Sequence, residues 1–164
     1  MPSNRNKAIF LDRDGVINEE RGEYTWLLED FRINPGVVDA LIKWQADGFL
    51  LIVISNQGGI AKGLYAKSDI DFLHHQLTRY LHLAGVTITE VYYCPHHPNH
   101  GRCICRKPDS QLLEKAIARY SIDVSASWFI GDSERDQVAG EKVGVKCLKI
   151  TPNTSLLDVV SVIH

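Results

Sequence analysis

Two carboxylates one residue apart, Asp12 and Asp14, follow an apolar run in the segment Ile9-Phe10-Leu11-Asp12-Arg13-Asp14-Gly15-Val16. The run Lys7–Leu11 reads as a buried strand. In α/β proteins the C-terminal ends of parallel strands are where ligands and chemistry gather. Two acids this close raise each other's proton affinity unless a cation neutralises them. The pair therefore suits a divalent cation combined with a nucleophile and a proton donor. A strand ending in a polar, glycine-containing turn would share the same residues, so the rest of the chain has to decide.

Two more polar signals fall at the ends of apolar runs: Ser55 and Asn56 after Phe49–Ile54, and Gly131-Asp132-Ser133-Glu134-Arg135-Asp136 after Ser127–Ile130. Right-handed crossovers bring strand C-termini to one edge of a sheet. That edge would present Asp12, Asp14, Asp132 and Asp136 together with a hydroxyl and an amide. Arg106-Lys107-Pro108 precedes a predicted helix and can reach the same edge, where acids and a helix N-terminus favour an anion-binding role. The set suits phosphoryl transfer, which consists mostly of positioning and charge neutralisation. Asp12 would attack phosphorus, and Asp14 would protonate the leaving oxygen and later deprotonate water. Mg²⁺ would take Asp12, the Asp14 main-chain carbonyl and Asp132. Ser55 and Lys107 would hold the phosphoryl oxygens. Asp136, one turn past Asp132, would orient Lys107 or simply favour a helix start.

The elements that must position these groups alternate along the chain. A helix runs from Asn34-Pro35-Gly36 through Val38, Leu41, Ile42 and Trp44 and closes at Gly48. Phe49–Ile54 is continuously apolar, as a strand covered on both faces is. Ser68 begins a long helix carrying Ile70, Leu73, Leu77, Leu81 and Leu83, and Val86–Tyr93 reads as a third strand. There follow a helix over Ser110–Tyr120, a strand at Ser127–Ile130, a helix over Glu134–Val143, a strand at Lys146–Ile150 and a short helix near Ser155–Ile163. This alternation predicts an α/β, Rossmann-like three-layer sandwich with a mostly parallel sheet. No insertion is long enough for a cap domain, so the site is expected to be open. Residues 1–164 are read as one domain. A net charge of −2 gives no footprint for nucleic acid or anionic membrane. The polar start shows no apolar signal core, and no stretch spans a bilayer, which predicts a cytoplasmic monomer.

Cys94-Pro95-His96-His97-Pro98 and Cys103-Ile104-Cys105 place a Cys-X-His and a Cys-X-Cys pair on one loop. A Cys3His set makes a closed tetrahedral site, structural for Zn²⁺. A Cys94–Cys103 disulfide is the main alternative, disfavoured where thiols stay reduced. By spacing, His96, His97 and His100 are equivalent candidates for the fourth ligand. The loop runs directly into Arg106 and Lys107, so clamping it with metal would preposition both cations. Cys147 stands alone in a strand as a buried thiol.

Asp12-X-Asp14-Gly15, Ser55-Asn56, Lys107 and Gly131-Asp132-X-X-X-Asp136, in that order, resemble the four motifs of haloacid-dehalogenase-superfamily phosphatases across residues 7 to about 150. The Cys/His loop narrows the resemblance to a subfamily of heptose bisphosphate and histidinol-phosphate phosphatases, and Asp12-Arg13-Asp14-Gly15-Val16-Ile17-Asn18 leans to the former. The resemblance implies His96 as the fourth zinc ligand. It also implies a sugar bisphosphate substrate on the way to nucleotide-activated heptose and lipopolysaccharide core. Substrate contacts are implied for Arg106 and Lys107 and for the loops Glu20, Arg21, Gly22, Glu23 and Ser55, Asn56, Gln57, Gly58. Ser55 stands where the heptose enzymes often carry Thr, Asp109-Ser110 where Pro-Gly-Met is common, and Ser133 where some members carry a substrate-touching lysine. A phospho-accepting receiver domain also combines acids, hydroxyl and lysine, but it has no use for an acid placed as Asp14 is. A zinc-ribbon binding module needs more widely spaced ligand pairs and a basic or aromatic face.

Overall fold

The computed structural model describes residues 5–164; the polar start at residues 1–4 lies outside them. Five strands, β1 (Lys7–Leu11), β2 (Phe49–Asn56), β3 (Glu90–Cys94), β4 (Trp128–Gly131) and β5 (Lys146–Lys149), form one sheet. All pairings are parallel, in the order β3-β2-β1-β4-β5. Four helices connect them: α1 (Val37–Ala46), α2 (Lys67–Leu83), α3 (Gln111–Tyr120) and α4 (Glu134–Val143).

Strand side chains alternate between faces, and the two cores follow that period. Ile9, Leu11, Leu51 and Val53 pack with α1, α2 and the C-terminal 3-10 turn (Leu156–Val162). Ala8, Phe10, Ile52 and Ile54 pack with α3 and α4 on the other face. The result is the expected three-layer arrangement. The buried face of α1 is Val37, Ala40, Leu41 and Trp44, the i, i+3, i+4, i+7 pattern. Ile42, expected in that stripe, is instead 40% exposed. On α2 the buried row is Ile70, Leu73, His74, Leu77 and Leu81, while Leu83 points to solvent.

The third strand is shorter and later than the expected Val86–Tyr93, pairing only from Glu90 onward. Val86 and Ile88 are buried as a strand's residues would be. The backbone around them is tied to helices rather than to the sheet: Val86 N donates to Leu81 O of α2, and Gln45 of α1 accepts from Thr87 N and donates to Gly85 O. The last strand stops at Lys149, and the final short helix is a 3-10 turn.

β1 leads out through α1 to β2 and β3 on one side, and the chain later returns through α3 to β4 on the other. The C-terminal ends of β1 and β4 thus form the topological switch point, where open α/β sheets bind ligands. Asp12 and Asp132 directly follow these two strands. The segment between β1 and α1 holds only a 3-10 turn (Leu28–Asp30), so no cap covers the opening among the described residues.

A candidate active site at the switch point

Asp12 N donates to Ile130 O at 3.0 Å, which locks the end of β1 against β4. The Asp12 carboxylate is held through Oδ1, which accepts from Arg13 N and from Lys107 Nζ, both at 2.8 Å. Lys107, from the loop before α3, is 3% exposed and also reaches Asp136 Oδ1 at 2.7 Å and Ile54 O at 2.8 Å. Asn56, at the end of β2, clasps the Lys107 backbone at two points: Oδ1 accepts from N at 3.0 Å and Nδ2 donates to O at 3.1 Å. Asp136 Oδ2 accepts from Ser133 N and Oγ, so this residue caps α4 while it pairs with Lys107.

Two glycines make the convergence possible. Gly15 has φ +86°, and a Cβ there would sit 2.0 Å from Asp132 Oδ2. A Cβ at Gly131 would lie 2.3 Å from Asp136 Cβ. Side chains at either position would push apart the acids that the strands bring together.

One oxygen each of Asp12, Asp132 and Asp136 can be chosen so that all lie within 4.8 Å of one another. A single lysine does not balance three carboxylates. Burial, reinforced by Asp136 and Asp132, pushes the Asp12 carboxyl up to about 8 against the pull of Lys107. Burial and Asp136 raise Asp132 as well. Burial opposes the charge on Lys107, but Asp12 and Asp136 more than compensate and keep it an ammonium. An all-oxygen donor set with surplus negative charge fits a hard divalent cation.

Asp14 stands apart from that group. Its Oδ1 accepts from Arg13 Nη2 at 2.7 Å and Asn18 Nδ2 at 3.0 Å, and its Oδ2 accepts from Gln57 Nε2 at 3.2 Å. Burial alone would raise this carboxyl, but the Arg13 charge and these hydrogen bonds outweigh it and hold Asp14 below its usual range. Arg13 is fully buried, with Nη1 3.1 Å from His74 Nε2 and Nη2 donating to Thr25 O. Burial, helped by Arg13, depresses His74 to about 3, so its ring is neutral and Nε2 accepts. Of these supports the sequence points to Gln57 alone, and as a substrate contact; Arg13, Asn18, Thr25 and His74 are given no role there. Their only signal was an arginine set between two acids at the end of an apolar strand.

The other expected residues fall into two groups. Glu20, Gly22, Glu23, Asn56, Gly58, Arg106 and Lys107 line a cavity of about 530 Å³ over the acids. Ser55, Gln57 and Arg21 do not border it. Ser55 is buried with Oγ accepting from Gln57 Nε2 at 2.8 Å, and Arg21 pairs with Asp30 at 3.1 Å. Tyr24, at the end of the expected Glu20–Tyr24 loop, and Ser133, at the position where some relatives carry a lysine, line the cavity too, and His97 and Arg135 join them without having been anticipated there. Arg135 and Arg106 give the rim a cationic side, facing Glu20 and Glu23.

Beside the cavity, Cys94, His96, Cys103 and Cys105 bring ligand atoms within 4.8 Å of one another. Cys94 Sγ is 3.6 Å from Cys103 Sγ and 2.9 Å from Cys105 Sγ, while His96 Nδ1 is 3.2 Å from Cys105 Sγ. The four cysteines are free, so the Cys94–Cys103 disulfide does not form. Three sulfurs and an imidazole nitrogen converging in this way fit a soft-to-borderline cation such as zinc. His97 instead borders the cavity, with Nδ1 accepting from Asn99 N, and His100 packs edge-on against it.

Known proteins converge on the same reading. The HAD-hydrolase-like family model matches residues 104–155. The chain is 38% identical over 151 residues to a D-glycero-alpha-D-manno-heptose-1,7-bisphosphate 7-phosphatase of Photorhabdus laumondii, covering 88% of the chain and 82% of the relative. It is likewise 38% identical over 148 residues to a D-glycero-beta-D-manno-heptose-1,7-bisphosphate 7-phosphatase of Helicobacter pylori, covering 87% and 82%. Among solved structures, the D,D-heptose 1,7-bisphosphate phosphatase of B. bronchiseptica, complexed with magnesium and phosphate, superposes with a TM-score of 0.80 at 30% identity. That match covers 86% of this chain and 78% of the other.

Proposed function

The chain belongs to the haloacid-dehalogenase-like phosphatase family, and from that premise we propose that it hydrolyses the 7-phosphate of a D-glycero-D-manno-heptose 1,7-bisphosphate. The observation that carries this reading is the meeting of Asp12, Lys107, Asp132 and Asp136 at the switch point, beneath an open cavity with an arginine-bearing rim. Residues 1–164 act as one such domain, a cytoplasmic monomer in this reading. No helix of the described residues is long and apolar enough to cross a membrane.

The chemistry depends on which atoms already have partners. Asp12 Oδ1 is taken by Lys107 and Arg13, which leaves Oδ2 to attack phosphorus and form the aspartyl phosphate as the sugar oxygen leaves. Lys107 and Asn56 set the phosphoryl group at that oxygen, while Ser55, buried behind the cavity wall, anchors Gln57 instead of holding phosphoryl oxygens as expected. Magnesium held by Asp12 and Asp132, with the Asp14 carbonyl, would supply neutralisation of the phosphoryl charge. Asp14 gives its proton to the leaving oxygen and then takes one from the water that breaks the acyl phosphate. It is ionised before substrate arrives, so the proton it donates is one taken up from solvent as the incoming phosphoryl charge raises its proton affinity. Arg106 and Arg135 stand where a second phosphate would lie. Zinc bound by Cys94, His96, Cys103 and Cys105 would brace the loop that carries Arg106 and Lys107.

Released phosphate measured against a panel of sugar phosphates tests the proposal. The expected result is the highest kcat/KM for the heptose bisphosphate, with magnesium required. Preference for histidinol phosphate, whose amine would call on Glu20 and Glu23, overturns the substrate assignment.

A further inference from the structure

The amide of Gln57 does two jobs that need its NH2 group and not its carbonyl. Nε2 donates to Ser55 Oγ at 2.8 Å and to Asp14 Oδ2 at 3.2 Å. A side-chain amide can rotate by half a turn at little steric cost, and the flipped form would set a carbonyl oxygen against the Asp14 carboxylate. Something must hold the orientation. Tyr65 does so from behind: its OH donates to Gln57 Oε1 at 2.8 Å.

Tyr65 is built to donate. Its hydroxyl spends its one hydrogen on Gln57 Oε1. Burial pushes the phenol well above its ordinary value, so it keeps that hydrogen at any working pH. The ring stacks on Trp26 at 5.8 Å and meets Tyr24 edge-on at 5.9 Å. Gly59 leaves it room, since a Cβ there would fall 2.2 Å from the ring. Tyr65 is 6% exposed and does not line the cavity, so it touches no substrate.

We propose that Tyr65 is a positioning residue that fixes the Gln57 amide so that its NH2 group, anchored on Ser55, holds Asp14 ready for proton transfer. The inference rests on the reading of Asp14 as the acid and base of the phosphatase reaction. Asp14 then has both oxygens fixed from buried partners: Oδ1 through Arg13 and His74, and Oδ2 through Gln57 and Tyr65.

Tyr65→Phe keeps the ring and its packing and removes only the hydroxyl. The expected result with the heptose bisphosphate is a kcat about ten- to a hundredfold lower, the worth of the Gln57 hydrogen bond to the Asp14 carboxylate that Tyr65 secures. KM should change little. In a Gln57→Leu background the same substitution should have almost no further effect, because the two residues act as one unit. A merely structural role would persist in that background. Wild-type kcat in Tyr65→Phe, or an undiminished effect on top of Gln57→Leu, overturns the proposal. Asp14→Asn serves as the control: if it turns over normally, the acid-base reading itself has failed. An inactive Asp14→Asn beside an unaffected Tyr65→Phe sinks only the positioning role.

Discussion

The acid cluster and the thiol cluster lie side by side at the sheet edge, and they are assembled in opposite ways. The four sulfur and nitrogen ligands come from residues 94–105, a single loop. The acids and their lysine come from the ends of two strands, a helix cap and a distant loop, with Lys107 and Asp12 separated by 95 positions. A site made from one loop can form as that loop closes on its cation, and it braces the residues next to it in the chain. A site made from distant elements exists only when the sheet is complete, and it therefore inherits the sheet's rigidity. Chemistry that needs a nucleophile, an ammonium and a cation in fixed register sits on the second kind. In the proposed reading the first kind, with zinc bound, would serve as its buttress.

The sharpest way to break this division is at the nucleophile. Asp12→Asn should lower turnover by at least about 10⁴-fold and should not lower the thermal midpoint. Burial and neighbouring acids already make that carboxylate costly at neutral pH. An active variant, measured by released phosphate, would show that the acid cluster is not the reaction centre.

At the buttress, Cys105→Ser should remove bound zinc, read by mass spectrometry of the intact protein. It should also cut kcat/KM by about 10- to 100-fold while leaving a folded sheet by circular dichroism. Full activity in zinc-free protein would reduce the thiol cluster to ornament. Asn56→Ala probes the joint between the two regions, because Asn56 alone clasps the Lys107 backbone from the sheet side. The expected loss in kcat is about tenfold. A loss larger than that of Cys105→Ser would mean that the sheet, and not the zinc loop, sets Lys107.

The smallest effect separates catalysis from fold. His74 has a folded value of about 3 against an ordinary 6.5. Above pH 6.5 it therefore costs nothing. Below that only the unfolded chain takes up the proton, and stability falls by up to about 1.4 kcal/mol per pH unit. His74→Gln keeps an acceptor for Arg13 and does not titrate. Relative to wild type it should gain about 1 kcal/mol between pH 7 and pH 5.5, checked by urea unfolding at both values. No relative gain would mean that His74 is protonated in the fold and that Arg13 is held otherwise.

The amino-acid sequence by itself determined a good deal of this. Apolar runs of strand length, each ending in polar residues, placed Asp12, Ser55 and Asp132 at strand ends, and alternation of period dictated a parallel three-layer sheet. These are local properties, written in adjacent residues. The third strand starts later than expected because the burial of Val86 and Ile88 is legible while the Gln45 amide that takes the backbone bonds of their neighbours Gly85 and Thr87 is not.

The tertiary structure alone decided which partner each charged group received. It drew Asp14 to a buried arginine and away from the three-acid group, gave Asp136 to both Ser133 and Lys107, and chose His96 over His97 and His100. Residues of one type at similar spacing differ only in what packs against them. Desolvation and hydrogen bonding then fix which carboxyl carries a proton and which imidazole faces the thiols, and both depend on neighbours that the chain brings in from far away.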